Sequence, residues 1–351
     1  MHQIKKDRDS NFELLRIIAM ILVLGVHANF LSIGRPTFEE FVTSPSSTGF
    51  RIFTQSLCII CVNVFVLLSG WYSIKPKVEK LYDFLFQIFF FSILIFTLSA
   101  IVNPEQTLNL NGFLSLFLLD KELWFVKAYL LLYICSPILN HFIESSSSKQ
   151  IGVFLIAFFV FQFIFGWFVV SVVWFDGGYS TLSFLGLYIL AGYIRKSEHI
   201  FFKFKCRTDL LLYFLLTLLI TFIAVFFISK NYKGIMHKMF WYNSPLVILA
   251  SIYFFLFFSK IKLHNKIINY IAISSFAIYL LHANPLIINK YYIQIIKHWY
   301  TTESTYTFLG KTLFYIIFIF VISILLDKIR ISIYCLLKKS QNYIYSFFRY
   351  S

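Results

Sequence analysis

The chain has 351 residues, of which 59% are hydrophobic, 21% aromatic and only 13% charged, and its mean hydropathy is +0.77. Soluble domains lie near half apolar and a quarter charged, so this composition excludes a soluble globular protein and predicts an all-α, polytopic membrane protein. A formal net charge of +15 would point a soluble protein towards nucleic acid. Here the basic residues sit at the ends of apolar runs, where they set topology and meet anionic lipid, and no nucleic-acid motif accompanies them.

In chain order, about ten apolar runs are predicted as transmembrane helices, at roughly 12–32, 51–71, 82–102, 123–140, 151–171, 180–195, 209–229, 243–259, 267–288 and 309–327. The first follows basic residues as a signal peptide would. It carries an internal arginine and histidine and has no small-residue cleavage site, so it reads as a retained helix. The second holds Cys58 and Cys61, a C-x-x-C within an apolar span without further cysteine or histidine partners, which points to packing. "ESSSSK" (144–149) reads as a solvated loop and "DGG" (176–178) as a turn. The prolines, Pro137, Pro245 and Pro285 among them, fall in loops or towards span ends.

An even number of spans puts both termini on one side. With the N-terminus cytoplasmic, the inside segments carry roughly two thirds of the 31 Lys and Arg residues, as the positive-inside rule requires. Both termini are therefore expected in the cytoplasm. No soluble domain is inserted and no internal repeat is visible, so residues 1–351 read as a single integral-membrane domain. The eight histidines are scattered, none with a carboxylate or cysteine at ligand spacing, and no metal site is expected.

The first span raises a specific question. In "FELLRIIAMILVLGVHAN", Arg16 and His27 bracket ten uncharged residues. Eleven steps of 100° come to about three full turns, so the two share one helix face, separated by roughly 16 Å along the axis. Glu13, three residues before Arg16, can pair with it on that face. An arginine alone at a span end reads as snorkelling, and a lone histidine as a packing residue. Two ionisable residues on one face read instead as the lining of a cavity.

"ELLRIIAMILVLGVH" resembles the opening helix of the integral-membrane acyltransferase 3 family, whose signature is an arginine, ten residues and a histidine. Three later stretches resemble family segments in the same order: "NVFVLLSGWY" (63–72), "ELWFVKAYLLLYICSPILN" (122–140), and "YNSPLVILASIYFFLFF" (242–258) followed by "SSFAIYLLHANPL" (274–286). One departure lies before the motif arginine, where other branches often carry glycine and this chain has Leu14 and Leu15. The resemblance implies transfer of an acyl group, usually acetyl, from cytoplasmic acyl-CoA to a hydroxyl of an extracytoplasmic acceptor. Such acceptors are mostly sugars of bacterial surface polysaccharides and lipid-linked glycans, which implies a plasma (inner) membrane enzyme with no bound cofactor and with acetyl-CoA or another acyl-CoA as donor substrate.

Depth along the spans adds a test of this chemistry. His27 and His282 each lie fifteen residues into an outward-running span and so reach a similar outer level. Glu122, Trp124 and Asn243 open inward-running spans from the outside. Arg16 falls at the opposite level with Ser69 and Gly70. In this layout Arg16, with Arg195 and Lys196, holds the charged end of the CoA thioester, and the pantetheine arm threads towards His27. His27 is the candidate general base, with a covalent acyl-histidine as the variant. His282 is a second acid/base or a sugar ligand, and Glu122 a group that orients a histidine or binds the acceptor, or else a solvated charge beside Lys121. Trp124 suits stacking on a sugar ring as well as anchoring at the interface. Ser69 and Gly70 suit close helix approach or substrate binding, and Asn243, Ser244 and Tyr279 complete the expected lining.

The main alternative is a transporter or flippase of the same glycan precursors. It would be expected to show internal repeats and helices broken at the midplane, and neither is visible. A non-catalytic scaffold would not need histidines at matched depth on two helices. A glycan polymerase would be expected to carry a large outside loop. Acyl identity, acceptor position and oligomeric state are not encoded in any motif found.

Overall fold

Backbone amides in hydrocarbon have to bond within their own segment, which helices achieve and open sheets do not. The described residues accordingly contain helices and no strand. The computed structural model describes residues 9–118, 123–170 and 173–350, without the side chains of Gln106, Val173 and 341–350.

The helices that build the bundle are α1 (Ser10–Val26), α2 (Pro45–Cys58), α3 (Cys61–Tyr72), α4 (Val78–Val102), α5 (Trp124–Ser145), α6 (Ser148–Phe161), α7 (Thr181–Lys196), α8 (Cys206–Ser229) and α9 (Pro245–Ser259). They continue as α10 (Lys266–Ala272), α11 (Ser275–His282), α12 (Gln294–Thr302) and α13 (Thr305–Tyr350).

Among the described residues, seven segments are long and apolar enough to cross a membrane: Ser10–Leu31, Pro45–Tyr72, Val78–Val102, Trp124–Ser145, Ser148–Phe168, Cys206–Ser229 and Thr305–Ser340. The pair Lys266–His282 and Pro285–Thr302, bent by 56°, makes an eighth if counted as one span. Helices α7 and α9 occupy the expected spans 180–195 and 243–259, but with 16 and 15 residues they extend only about 22–24 Å against a hydrocarbon core of about 30 Å. Seven or eight of the about ten expected spans are thus long and apolar enough to cross by themselves, and α7 and α9 are shorter helices at two further expected positions. The two short helices are largely enclosed by their neighbours, with Phe184, Tyr188, Ala191, Val247, Ala250 and Phe255 buried.

Helix α1 is the hub. It packs against α2, α3, α9, α10, α11 and α13, and its Leu15, Ala19 and Leu24 are completely buried. Its first turn is tied down by polar contacts: Asn11 Nδ2 donates to the Phe258 carbonyl (2.9 Å) and the Asn265 amide donates to Ser10 Oγ (2.9 Å). Cys58 and Cys61 are free thiols used in packing, Cys61 fully buried and Cys58 against Gly25. Within α5, Pro137 cannot bond the Tyr133 carbonyl one turn back; the Ser136 hydroxyl donates to that oxygen instead, at 2.7 Å.

Gly70 marks a close backbone crossing, between α3 and α7. A Cβ there would stand 2.3 Å from the Tyr188 carbonyl oxygen and 2.8 Å from Ala191 Cβ. Both are rigid helix parts, so the clash cannot be relieved by a rotamer change. Gly70→Ala is expected to destabilise the bundle by about 1–3 kcal/mol, read as a lower melting temperature in detergent. An unchanged melting temperature would show that the α3–α7 contact is not close-packed there.

Candidate active site

Helix α1 ends at Val26, and His27–Leu31 continue it as one π-helical turn. Such turns insert one residue into a helix and recur at functional sites. The altered bonding is compensated locally. The His27 carbonyl accepts from the Ser32 hydroxyl (2.7 Å) and amide (3.0 Å), and the Leu24 carbonyl accepts from the buried Tyr292 hydroxyl (2.7 Å). Beyond the turn, Asn29 Nδ2 donates to the Arg51 carbonyl (2.7 Å) and to Thr54 Oγ1 (3.1 Å). The buried Arg51 guanidinium donates to Glu40 (3.1 Å), to the Tyr300 hydroxyl (3.3 Å) and to the Gly34 carbonyl. The exit of α1 is thus fixed to α2.

The histidine expected on α1 meets the one expected on α11. His27 Nδ1 lies 3.0 Å from His282 Nε2, and the rings are 5.1 Å apart. The other nitrogen of His282, Nδ1, lies 2.5 Å from the Ile278 carbonyl oxygen. That oxygen only accepts, so His282 Nδ1 carries a hydrogen. In the neutral ring Nε2 then holds a lone pair, and His27 Nδ1–H has to be the donor between the rings. By elimination His27 Nε2 bears the free lone pair. The chain Ile278 C=O, His282, His27 therefore orients a base in the way a carboxylate orients the histidine of a catalytic triad.

His27 faces a cavity of about 350 Å³. Its polar lining comprises Arg35, Gln55, Trp124, Tyr179, Tyr242 and Tyr279, and its apolar wall includes Met20, Val23, Phe65, Phe125 and Phe276. Trp124, Tyr179 and Tyr242 form a cluster with ring centroids 4.7, 4.8 and 6.0 Å apart. Leu123, which precedes Trp124, is held in the left-handed region at φ 45°, a conformation costing a leucine about 1–2 kcal/mol. It turns Trp124 into the cluster. At the rim, Arg35 bonds His237 Nδ1 (3.1 Å). Burial, with Arg35 and Lys233 alongside, lowers the His237 pKa from its ordinary value, so the ring stays neutral and accepts from the guanidinium.

Of the residues expected from the sequence, the cavity gathers His27, Trp124 and Tyr279, with His282 behind His27. Glu122 lies outside the described residues. Arg16 does not line the cavity, whose reach along α1 ends at Met20. It pairs with the buried Glu13 (2.6 Å) and keeps 32% of its side chain exposed. Ser69 is also away from the cavity; its hydroxyl donates to the Phe65 carbonyl (2.9 Å) and lies 3.2 Å from the Tyr129 hydroxyl.

Arg195 closes the end of α3, donating to the Trp71 carbonyl (2.6 Å) and Ser73 Oγ (2.8 Å). Lys196 does the same for α5 at the Ile143 and Ser146 carbonyls. Asn243 donates to the Gly166 carbonyl (3.0 Å) and borders a separate apolar cavity, and Ser244 is fully buried. The preceding residue, Tyr242, is the one that reaches His27's cavity. Gln55, Tyr179, Tyr242 and Arg35 were not singled out by sequence; only Gln55, a lone amide in an apolar span, carried a readable signal.

A helical membrane bundle with an oriented histidine base in an aromatic-walled cavity defines a membrane enzyme equipped for proton transfer. The acyltransferase 3 family model, described as an acyltransferase domain, matches residues 9–328. The chain belongs to this family and is a multi-pass membrane acyltransferase; its family does not favour the transporter alternative. Comparison with curated proteins and with solved structures gives no match.

The orientation argument is testable at His282. Gln offers an amide oxygen that can still accept from His27 Nδ1–H, whereas Leu cannot. His282→Leu is expected to lower the acyl-transfer rate by about 10²-fold or more, with His282→Gln retaining measurably more activity. Equal rates for the two variants would remove the hydrogen bond from catalysis.

Proposed function

We propose that this enzyme is an O-acyltransferase that moves an acyl group, acetyl in the simplest case, from cytoplasmic acyl-CoA to a sugar hydroxyl on the far side of a bacterial plasma (inner) membrane. The acceptor is a surface polysaccharide or a lipid-linked glycan. The observation that carries this reading is the His27–His282 pair set in a cavity walled by Trp124, Tyr179 and Tyr242. Aromatic faces suit sugar rings, and a neutral histidine with a free lone pair suits a hydroxyl nucleophile. The proposed topology places both termini, and the Arg16 end of α1, in the cytoplasm.

In the reaction the acceptor hydroxyl gives its proton to His27 Nε2 as its oxygen attacks the thioester carbon. The C–S bond then breaks, and the CoA sulfur takes the proton from His27. While protonated, His27 is stabilised by the lone pair of His282 Nε2, which accepts from Nδ1–H throughout. The same His27 lone pair serves the covalent variant, in which the acyl group rests on Nε2 before reaching the sugar. Arg16, accessible and held by Glu13, is the proposed contact for the phosphates of the donor. Arg195 and Lys196 support that end of the bundle through their helix-end carbonyls.

Membranes carrying wild type or His27→Ala, supplied with acetyl-CoA labelled in the acyl group and a glycan acceptor pool, test this directly. Labelled glycan is expected from wild type and at least about 10²-fold less from the variant at equal protein level. Equal labelling would make His27 structural. Arg16→Gln is expected to raise the KM for acyl-CoA about tenfold with kcat little changed, the pattern of lost uniform binding. An unchanged KM would remove Arg16 from the donor site.

A further inference from the structure

Helix α2 carries four polar side chains in its last two turns, and three are fully engaged. Arg51 is bonded as described above, the Thr54 hydroxyl donates to the Arg51 carbonyl (3.0 Å), and the Ser56 hydroxyl donates to the Ile52 carbonyl (2.9 Å) and accepts from Thr221 (3.0 Å). Gln55 is the exception. It is 2% exposed, its Oε1 is buried without a hydrogen-bond partner, its Nε2 donates no hydrogen bond among the described residues, and it lines the same cavity as His27. A buried amide left unpaired is costly, and nothing in the packing of α2 requires one there.

Its depth is telling. The Tyr72 hydroxyl donates to Asp9 (2.8 Å), which puts the end of α3 level with the start of α1. From that level His27 lies 18 residues along α1, and Gln55 lies 17 residues back along α3 and α2. At 1.5 Å per residue these are about 27 and 26 Å, so the amide and the imidazole stand at one height across the cavity.

From this placement, and resting on the acyl-transfer reading above, we infer that Gln55 holds the acyl carbonyl oxygen. As the hydroxyl oxygen bonds to the carbonyl carbon and its proton passes to His27 Nε2, the carbonyl electron pair moves onto oxygen. The Gln55 side-chain N–H donates to that oxygen. When the pair returns, the C–S bond breaks and the sulfur leaves with the proton from His27. Gln55 thus meets charge that exists only in the transition state and the tetrahedral intermediate. It is the one polar group facing His27 from α2, and its position would also set how large an acyl group the cavity accepts.

The test compares wild type, Gln55→Leu and Gln55→Glu in full-length protein, with labelled acetyl-CoA and acceptor glycan. The ionised carboxylate matches glutamine in size but has no hydrogen to donate, so the variants are compared at a pH high enough to ionise it. Both variants are expected to lose about 10²-fold in kcat, with KM values for donor and acceptor within about threefold of wild type, and Gln55→Leu is expected to melt in detergent within a few degrees of wild type. Retained kcat in Gln55→Glu would overturn the inference, since an acceptor would then suffice. So would a loss confined to the acceptor KM, which would make Gln55 a sugar ligand, or a fall in melting temperature with full activity per folded molecule. Wild type that transfers nothing from any acyl-CoA would instead overturn the acyl-transfer reading itself.

Discussion

The hydrogen bond between His27 and His282 is the contact on which the site's chemistry turns, because its direction is not free. The Ile278 carbonyl lies one helical turn behind His282 and can only accept. That forces a hydrogen onto His282 Nδ1, a lone pair onto its Nε2, and a donor role onto His27 Nδ1. The free base of His27 follows from a backbone oxygen two residues removed from it in the chain of contacts. Any repacking that moved α11 relative to α1 would lose this ordering. The fold secures it in several ways: α1 packs directly on α11, the Tyr292 ring lies 5.5 Å from His282, and the Tyr292 hydroxyl bonds the Leu24 carbonyl just before the π-turn.

The molecule divides its polar groups between two levels. At one, the Arg16–Glu13 pair, the Tyr72–Asp9 bond and the Arg195 and Lys196 contacts gather around helix ends whose carbonyls need partners. At the other, the histidine pair stands in a chamber of aromatic rings. Between them the cavity wall is apolar: Phe65, Phe125 and Phe276 border it, and Phe125 stacks on Tyr129, whose hydroxyl meets Ser69.

Much of this was readable in the sequence because the physics was local. The shared face of Arg16 and His27 follows from helix geometry alone, and the matched depth of His27 and His282 follows from counting residues along two spans. Gly70 was legible as a small residue where helices approach. Arg195 read as a ligand for phosphate, but its guanidinium is engaged by the end of α3, a contact between residues more than a hundred positions apart that no local pattern announces. Asn243 was singled out while the adjacent Tyr242 faces the cavity, because span boundaries cannot specify which side of a short helix start turns inward. Tyr179 and Arg35 come from loops whose path only the fold determines. Span length was less legible: α7 and α9, at the expected positions 180–195 and 243–259, are shorter than a full crossing and largely enclosed by neighbouring helices, and hydropathy alone does not distinguish such burial from lipid.

The π-helical turn has a consequence for how the chain can vary. Arg16 and His27 both lie at or before the turn, on one unbroken run of helix, so their spacing is set entirely by α1. The turn absorbs a change of phase at its far side, where the Asn29–Arg51 contact takes over the path of the backbone. Insertions or deletions after Leu31 can therefore reshape the rim around Arg35 while the spacing of Arg16 and His27 stays untouched. The histidine that the proposed reaction uses and the rim of its cavity sit on two sides of a single mechanical joint.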